Sequence, residues 1–235
     1  MSRRDELATS LARVRQRIAS ACAAAGRDAD DVTLTVVTKF FPSSDVRLLA
    51  ELGVRHVGEN RHQEAQAKAA ECADLGLCWH FIGGLQSNKA AAVTGYASVV
   101  ESVDRVKLLR GLSAGAAEHG RPVDVLVQVA LDDASPPGGG GRSGAAPDEV
   151  VGLARAVVDA SGLRLRGVMA VAPLGADPSA AFDRLAAVAA QVRAVEPSAT
   201  WVSAGMSGDL EAAIGSGATH VRIGSSVLGS RPAAR

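Results

Sequence analysis

A lysine at the end of a buried strand can present its amine to a pocket. Lys39 follows a mostly β-branched run, Val32 to Thr38, and precedes Phe40 and Phe41. Partial desolvation beside aromatics disfavours the ammonium form, and a neutral amine attacks an aldehyde to form an imine. Alone, Lys39 reads equally as a snorkelling surface lysine. Two later segments change that reading. Ser203-Ala204-Gly205-Met206-Ser207 and Gly224-Ser225-Ser226 each run from an apolar stretch into a helix. Glycine lets an anion approach unpaired backbone N–H groups, and serine adds donors; two ordinary capped helices are the plainer alternative. Arg222, two residues before Gly224, is a fixed cation if it points inward and a solvated surface arginine if it does not. His80 lies between Trp79 and Phe81, which face the other way by strand alternation. It is either a hydrogen-bonded core histidine or a ligand contact. No His or Cys partner is read at metal-ligand spacing, so no metal is expected.

These residues need a scaffold that gathers them, and the periodicity supplies one. Leu7, Leu11, Val14, Ile18, Cys22 and Ala25 share a face of an N-terminal helix over 3–25. Short strands then alternate with helices: strands over 32–38, 54–57, 78–82, 97–101, 123–130, 163–170, 200–203 and 219–223. Such alternation implies parallel strands with helical crossovers. Eight units in 235 residues fit a single-domain (β/α)₈ TIM barrel spanning 1–235. A doubly wound open sheet is the alternative, but no G-x-G-x-x-G follows the first strand. In a barrel the C-terminal strand ends carry the site, and phosphate often binds after strands seven and eight. Those ends hold Lys39, Asn60, Ser203, Met206, Ser207, Arg222, Gly224 and Ser225. An amine, anion-binding loops and a fixed cation suit pyridoxal 5′-phosphate (PLP). Enzymes using it place a carboxylate or an arginine at its pyridine nitrogen. An arginine leaves that nitrogen unprotonated and the ring a weaker electron sink.

Composition narrows the partners. Lys+Arg and Asp+Glu are both 25, so the formal net charge is zero, which gives no electrostatic case for nucleic acid or an anionic membrane. The three cysteines are an odd number, with five residues between Cys72 and Cys78; reduced thiols are expected rather than a disulfide framework. No targeting or membrane-spanning stretch is read, so the expected location is cytoplasmic. Residues 134–146, with four consecutive glycines, are read as a flexible insertion after strand five, with a mobile lid as the alternative.

The chain resembles the PLP homeostasis protein family (YggS/PROSC). The resemblance is carried by Val36-Val37-Thr38-Lys39, Gly58-Glu59-Asn60 with Gln63-Glu64, Trp79-His80-Phe81-Ile82-Gly83 and Leu85-Gln86-Ser87-Asn88-Lys89. Ser203-Ala204-Gly205-Met206-Ser207-Gly208-Asp209 and Val221-Arg222-Ile223-Gly224 complete it. The resemblance implies a monomeric or weakly associating barrel like the N-terminal domain of alanine racemase (PLP fold type III). It implies PLP bound as a Schiff base on Lys39, phosphate on Ser207, Gly224 and Ser225, Arg222 at the pyridine nitrogen and Asn60 near the cofactor. It implies a role in intracellular vitamin B6 homeostasis, carrying or buffering PLP and passing it to apo-enzymes, with no established catalytic reaction. Three positions depart from the family: Ala204 stands where methionine is usual, Gly84 where a larger residue is common, and Arg142 where a lysine follows strand five. Lys89 is a further PLP contact or a helix-face residue.

A PLP-dependent racemase-like enzyme is the alternative. It needs a base on each face of the cofactor. In the related enzymes the second is a tyrosine from another domain and a partner subunit, and no such domain is expected here. The single tyrosine, Tyr96, is placed before strand four, away from the expected site.

Overall fold

The structure is a computed structural model that describes residues 1–132 and 144–230. Most of the glycine-rich stretch over 134–146, Arg142 included, therefore lies outside the described residues. Eight parallel strands close into a barrel in sequence order. They are β1 Thr33–Val37, β2 His56–Glu59, β3 Cys78–Phe81, β4 Val99–Val103, β5 Val123–Gln128, β6 Leu163–Met169, β7 Trp201–Ser203 and β8 His220–Ile223. The helices between them include α2 Ser43–Glu51, α3 His62–Glu71, α4 Ala90–Val93, α5 Leu109–Glu118, α6 Val150–Val158, α7 Pro178–Val195, α8 Leu210–Gly215 and α9 Ser225–Leu228. No helix among the described residues is long and apolar enough to cross a membrane.

Strands β2 and β4 begin two residues later than the sequence predicts. The cause is that apolarity reports burial rather than pairing. Val54 and Ala97 are buried before the ladders start. The polar residues Glu59, Glu101 and Ser102, which look like strand ends, continue the strands because they are buried too.

The N-terminal helix α1, Arg3–Ala24, starts from a capping box between Ser2 and Asp5, which satisfies two otherwise orphaned N–H groups. It buries Leu7, Leu11, Val14, Ile18, Ala21 and Cys22 beside α8 and α9. Its arginines are more than a solvated face. Arg3 pairs with Asp45 at 2.7 Å. Arg17 pairs with Glu211 at 2.7 Å and donates to the Ser207 carbonyl at 3.1 Å, so α1 braces a loop at the top of the barrel.

Two large apolar clusters lie between the outer faces of the strands and the helices. The lumen differs. Its apolar content is a small group, Val99, Leu126 and Met169, while His80, Glu101, Ser203, His220 and Arg222 are buried with their polar groups. Barrel lumens are usually filled by branched aliphatic residues, and buried charges cost stability unless paired. Gly167 marks the one sharp irregularity on β6. At φ +148° a Cβ there would come within 1.8 Å of the Trp201 carbonyl oxygen. Only glycine lets β6 and β7 approach this closely, beside the register shift between β5 and β6.

Candidate functional site

Lys39, Asn60, Met206, Ser207, Arg222, Gly224 and Ser225 line one cavity of about 440 Å³ at the C-terminal end of the strands. That is within the usual range for a small-molecule site. The remaining wall comes from residues with no polar signature in the sequence, chiefly Val37, Ile82, Met169 and Val171, with Gln128 from β5. Val37, Gln128 and Met169 come from β1, β5 and β6, while Ile82 and Val171 lie just beyond the ends of β3 and β6.

Lys39 stands on a buried ionic platform. Lys68 Nζ donates to Glu59 Oε1 at 2.6 Å, to Glu64 Oε1 at 3.2 Å and to the Thr38 carbonyl at 2.9 Å. Thr38 Oγ1 donates to the same Glu59 oxygen at 2.7 Å. Glu64 Oε1 also accepts from the Phe40 N–H at 2.6 Å. Both neighbours of Lys39 are thus pinned. Phe40 adopts φ +71°, a left-handed conformation that costs a bulky residue of order 1–3 kcal/mol and persists where surroundings enforce it. The Lys39 ammonium lies 6.0 Å from the centre of the Phe40 ring, and the Arg61 guanidinium 5.2 Å from it. Glu59 and Glu64 belong to recognisable segments, but Lys68 is one lysine in a polar helix and carries no signal of its own.

Arg222 points inward and is almost fully buried. Its Nη1 donates to Ser203 Oγ at 2.7 Å and its Nη2 to the Ala170 carbonyl at 2.8 Å. The guanidinium has five N–H donors, so the fork is held in orientation with donors to spare for a ligand. Ser203 Oγ in turn donates to Glu101 Oε2 at 2.6 Å. Burial lowers the Arg222 pKa, and Glu101 opposes that shift.

Ser203 and His80 do not line the cavity. Ser203 lies beneath it and positions Arg222. His80 is a layer deeper, its Nδ1 2.7 Å from Glu101 Oε1, with the carboxylate as acceptor. Burial resists the charge on this pair, yet contacts with Cys78 and Glu101 raise the His80 pKa. Burial likewise resists ionisation of Glu101, but His80, Arg222 and Ser203 hold its carboxyl well below the usual range. The expectation that His80 lacks a His or Cys neighbour also fails: His56, Cys78 and His80 converge at the other end of the lumen. Register explains both results, because residues two apart on a strand share a face and strand pairing adds a third.

At the rim, Ser225 Oγ donates to Ser207 Oγ at 3.2 Å, and the Ser226 N–H donates to Ser207 Oγ at 3.4 Å. The two loops predicted to receive an anion therefore meet. Asn60 Oδ1 is buried without a hydrogen-bond partner among the described residues. Gly83 packs so tightly on Asn60 that a Cβ would fall 2.1 Å from its carbonyl oxygen. Lys89 lies in a separate cavity with Arg61 and Gln86, which shares Asn60 with the first. Tyr96 is in neither; it stacks on His62 with ring centres 5.9 Å apart.

Comparison with known proteins gives concordant results. Residues 9–232 match the family described as alanine racemase, N-terminal domain. A pyridoxal phosphate homeostasis protein of Mycobacterium tuberculosis is 43% identical over 248 residues, covering 97% of this chain and 94% of the relative. PipY of Synechococcus elongatus, solved with PLP bound, is 33% identical with a TM-score of 0.81, covering 95% of this chain and 100% of PipY. Alanine racemase from Corynebacterium glutamicum shares the fold at 16% identity and TM-score 0.68, covering 97% of this chain and 61% of the enzyme.

Proposed function

Since this chain belongs to the pyridoxal phosphate homeostasis protein family, built on the alanine racemase N-terminal domain, we propose that it holds PLP as a Schiff base on Lys39 and passes it to apo-enzymes. The parts of the cavity fit the parts of the cofactor. Lys39 supplies the amine. Ser207, Gly208, Gly224 and Ser225 form the rim that suits a phosphate. Arg222 offers N–H donors to a neutral pyridine nitrogen, and the unpartnered Asn60 Oδ1 suits a hydroxyl donor on the ring. Bound PLP supplies an aldehyde for the imine and a ring that withdraws electrons, weakly when an arginine faces its nitrogen.

One observation favours a carrier over a racemase. Among the described residues lining the cavity, Lys39 and Arg222 alone have titratable side chains, and an arginine does not deprotonate in proteins. Racemisation removes a proton on one face and returns it on the other, so it needs two exchanging groups. Tyr96, which would be the obvious second group, lies outside the cavity.

The test is handover. Protein loaded with PLP and freed of excess is mixed with the apo-form of a PLP-dependent enzyme, and recovery of enzyme activity is followed. Recovery at a rate that rises with loaded-protein concentration supports the carrier reading. Failure to restore activity while cofactor stays bound overturns it. Release of D-alanine from L-alanine by the wild type, lost in Lys39→Ala, would replace it with the racemase reading.

The phosphate end has its own check. Removing one hydrogen bond to a charged group costs about 1.5–3 kcal/mol. Ser207→Ala and Ser225→Ala are each expected to weaken PLP binding roughly 10-fold or more, read by equilibrium titration. Pyridoxal, which lacks the phosphate, should not distinguish them from wild type.

A further inference from the structure

The floor of the lumen carries a cluster that the cofactor cavity leaves unused. His56 opens β2 and Cys78 opens β3, and the two are register partners. His80, two residues on from Cys78, projects to the same face. His56 Nδ1 lies 3.0 Å from His80 Nε2, Cys78 Sγ lies 3.6 Å from that same nitrogen, and all three atoms fall within 4.8 Å of one another. Tetrahedral zinc has bonds of about 2.0 Å to nitrogen and about 2.3 Å to thiolate, which separates two nitrogens by about 3.3 Å and a nitrogen from a sulfur by about 3.5 Å. The observed spacings are close to both.

We propose that His56, Cys78 and His80 form a zinc(II) site of the His₂Cys type at the N-terminal floor of the barrel. Two imidazoles with one thiolate are a borderline-soft donor set, suited to zinc and unsuited to magnesium or calcium. The supporting residues have the arrangement that metal-bound histidines use. His80 commits Nδ1 to Glu101 at 2.7 Å, and Ser203 fixes that carboxylate from the other side at 2.6 Å. A carboxylate behind the ring fixes its orientation and tautomer, and zinc binding takes the place of the proton on Nε2, which is released to solvent.

Access is open, since His56 and Cys78 are half-buried while only His80 is fully enclosed. Three protein ligands leave a fourth position for water or a small exogenous anion.

The test uses untagged full-length protein stripped with a chelator. Zinc is titrated in competition with a chromophoric chelator, and cobalt(II) is added separately to report thiolate coordination by absorption. The expected result is one equivalent of zinc and a cobalt–thiolate band. Cys78→Ser should abolish the band and weaken zinc binding by at least about 100-fold, and His56→Gln should do the same to affinity. Cys22→Ser and Cys72→Ser should change neither. Circular dichroism confirms that each variant is folded, and Cys78→Ser removes one atom's identity without changing shape. Zinc binding weaker than about 10 μM, or binding that survives Cys78→Ser and His56→Gln undiminished, overturns the site. Lys39→Ala should bind zinc as the wild type does, so the outcome is independent of the PLP reading.

Discussion

Replacing Lys39 by alanine is expected to abolish the imine with PLP while leaving the barrel folded. The residue is half-buried at the mouth of the cavity. Its neighbours Thr38 and Phe40, rather than its own side chain, hold the loop through Glu59, Glu64 and Lys68. Truncation should therefore change stability by no more than about 0.5 kcal/mol. The chemistry should change completely, because covalent attachment has no substitute for the amine. Wild-type protein mixed with PLP should show an imine absorption band, and borohydride should fix the label on the peptide containing Lys39. The variant should show the spectrum of free or loosely held PLP and take up no label. Label at full stoichiometry in Lys39→Ala would move the attachment to another amine. Lys89 is the first to examine, since its cavity shares Asn60 with that of Lys39.

The second large effect is on stability. Glu101→Gln keeps the shape of the side chain and removes the anion between two buried cations, His80 and Arg222. Removing one partner of a buried pair leaves the other charge uncompensated, at a cost of about 3–5 kcal/mol. A loss near 3 kcal/mol is expected by urea denaturation at neutral pH, since the amide of glutamine keeps some hydrogen bonding.

The pH dependence has a definite sign. The Glu101 carboxyl is depressed in the fold below its ordinary value of 4.5. Its contribution is thus fully present above that value and is lost as pH falls through the lower, folded one. The gap between wild type and Glu101→Gln should be widest near neutrality and narrow below about pH 4.5. A gap that stays constant from neutrality to strong acid would show that Glu101 carries no stabilising charge. PLP titration of the same variant reads a second property. Ser203 would lose a fixed acceptor, and Arg222 its nearest anion, so cofactor binding should weaken even where the fold holds.

Much of this molecule is legible in one dimension. Strand–helix alternation implies the barrel, because each segment must bury an apolar face and parallel strands require crossovers. The α1 face reads directly from residues at helical spacing. Lys39, Ser207, Gly224 and Ser225 are legible because strand ends and glycine–serine turns are local features, and the barrel rule then places them on one rim. Arg222 is legible as a position, though its inward orientation is not.

Other features arise only when the barrel closes. Closure fixes the register, and register decides which residues on neighbouring strands meet. It places His56 beside Cys78 and His80, which lie more than twenty positions away along the chain. It makes Glu101 the link between His80 and Ser203, 102 positions apart from the latter. It buries Lys68, an ordinary-looking helical lysine, against Glu59 beneath the Lys39 loop. Periodicity reports whether a residue is buried but not what it is buried against. For an apolar residue that difference matters little, because hydrophobic burial has no direction. For a charged residue it decides everything, because a buried charge is stable only when its partner stands at the right distance and angle. The sequence by itself therefore determined the barrel and the rim of its cavity, while the polar interior that orients Arg222 and Lys39 was decided by the tertiary structure alone.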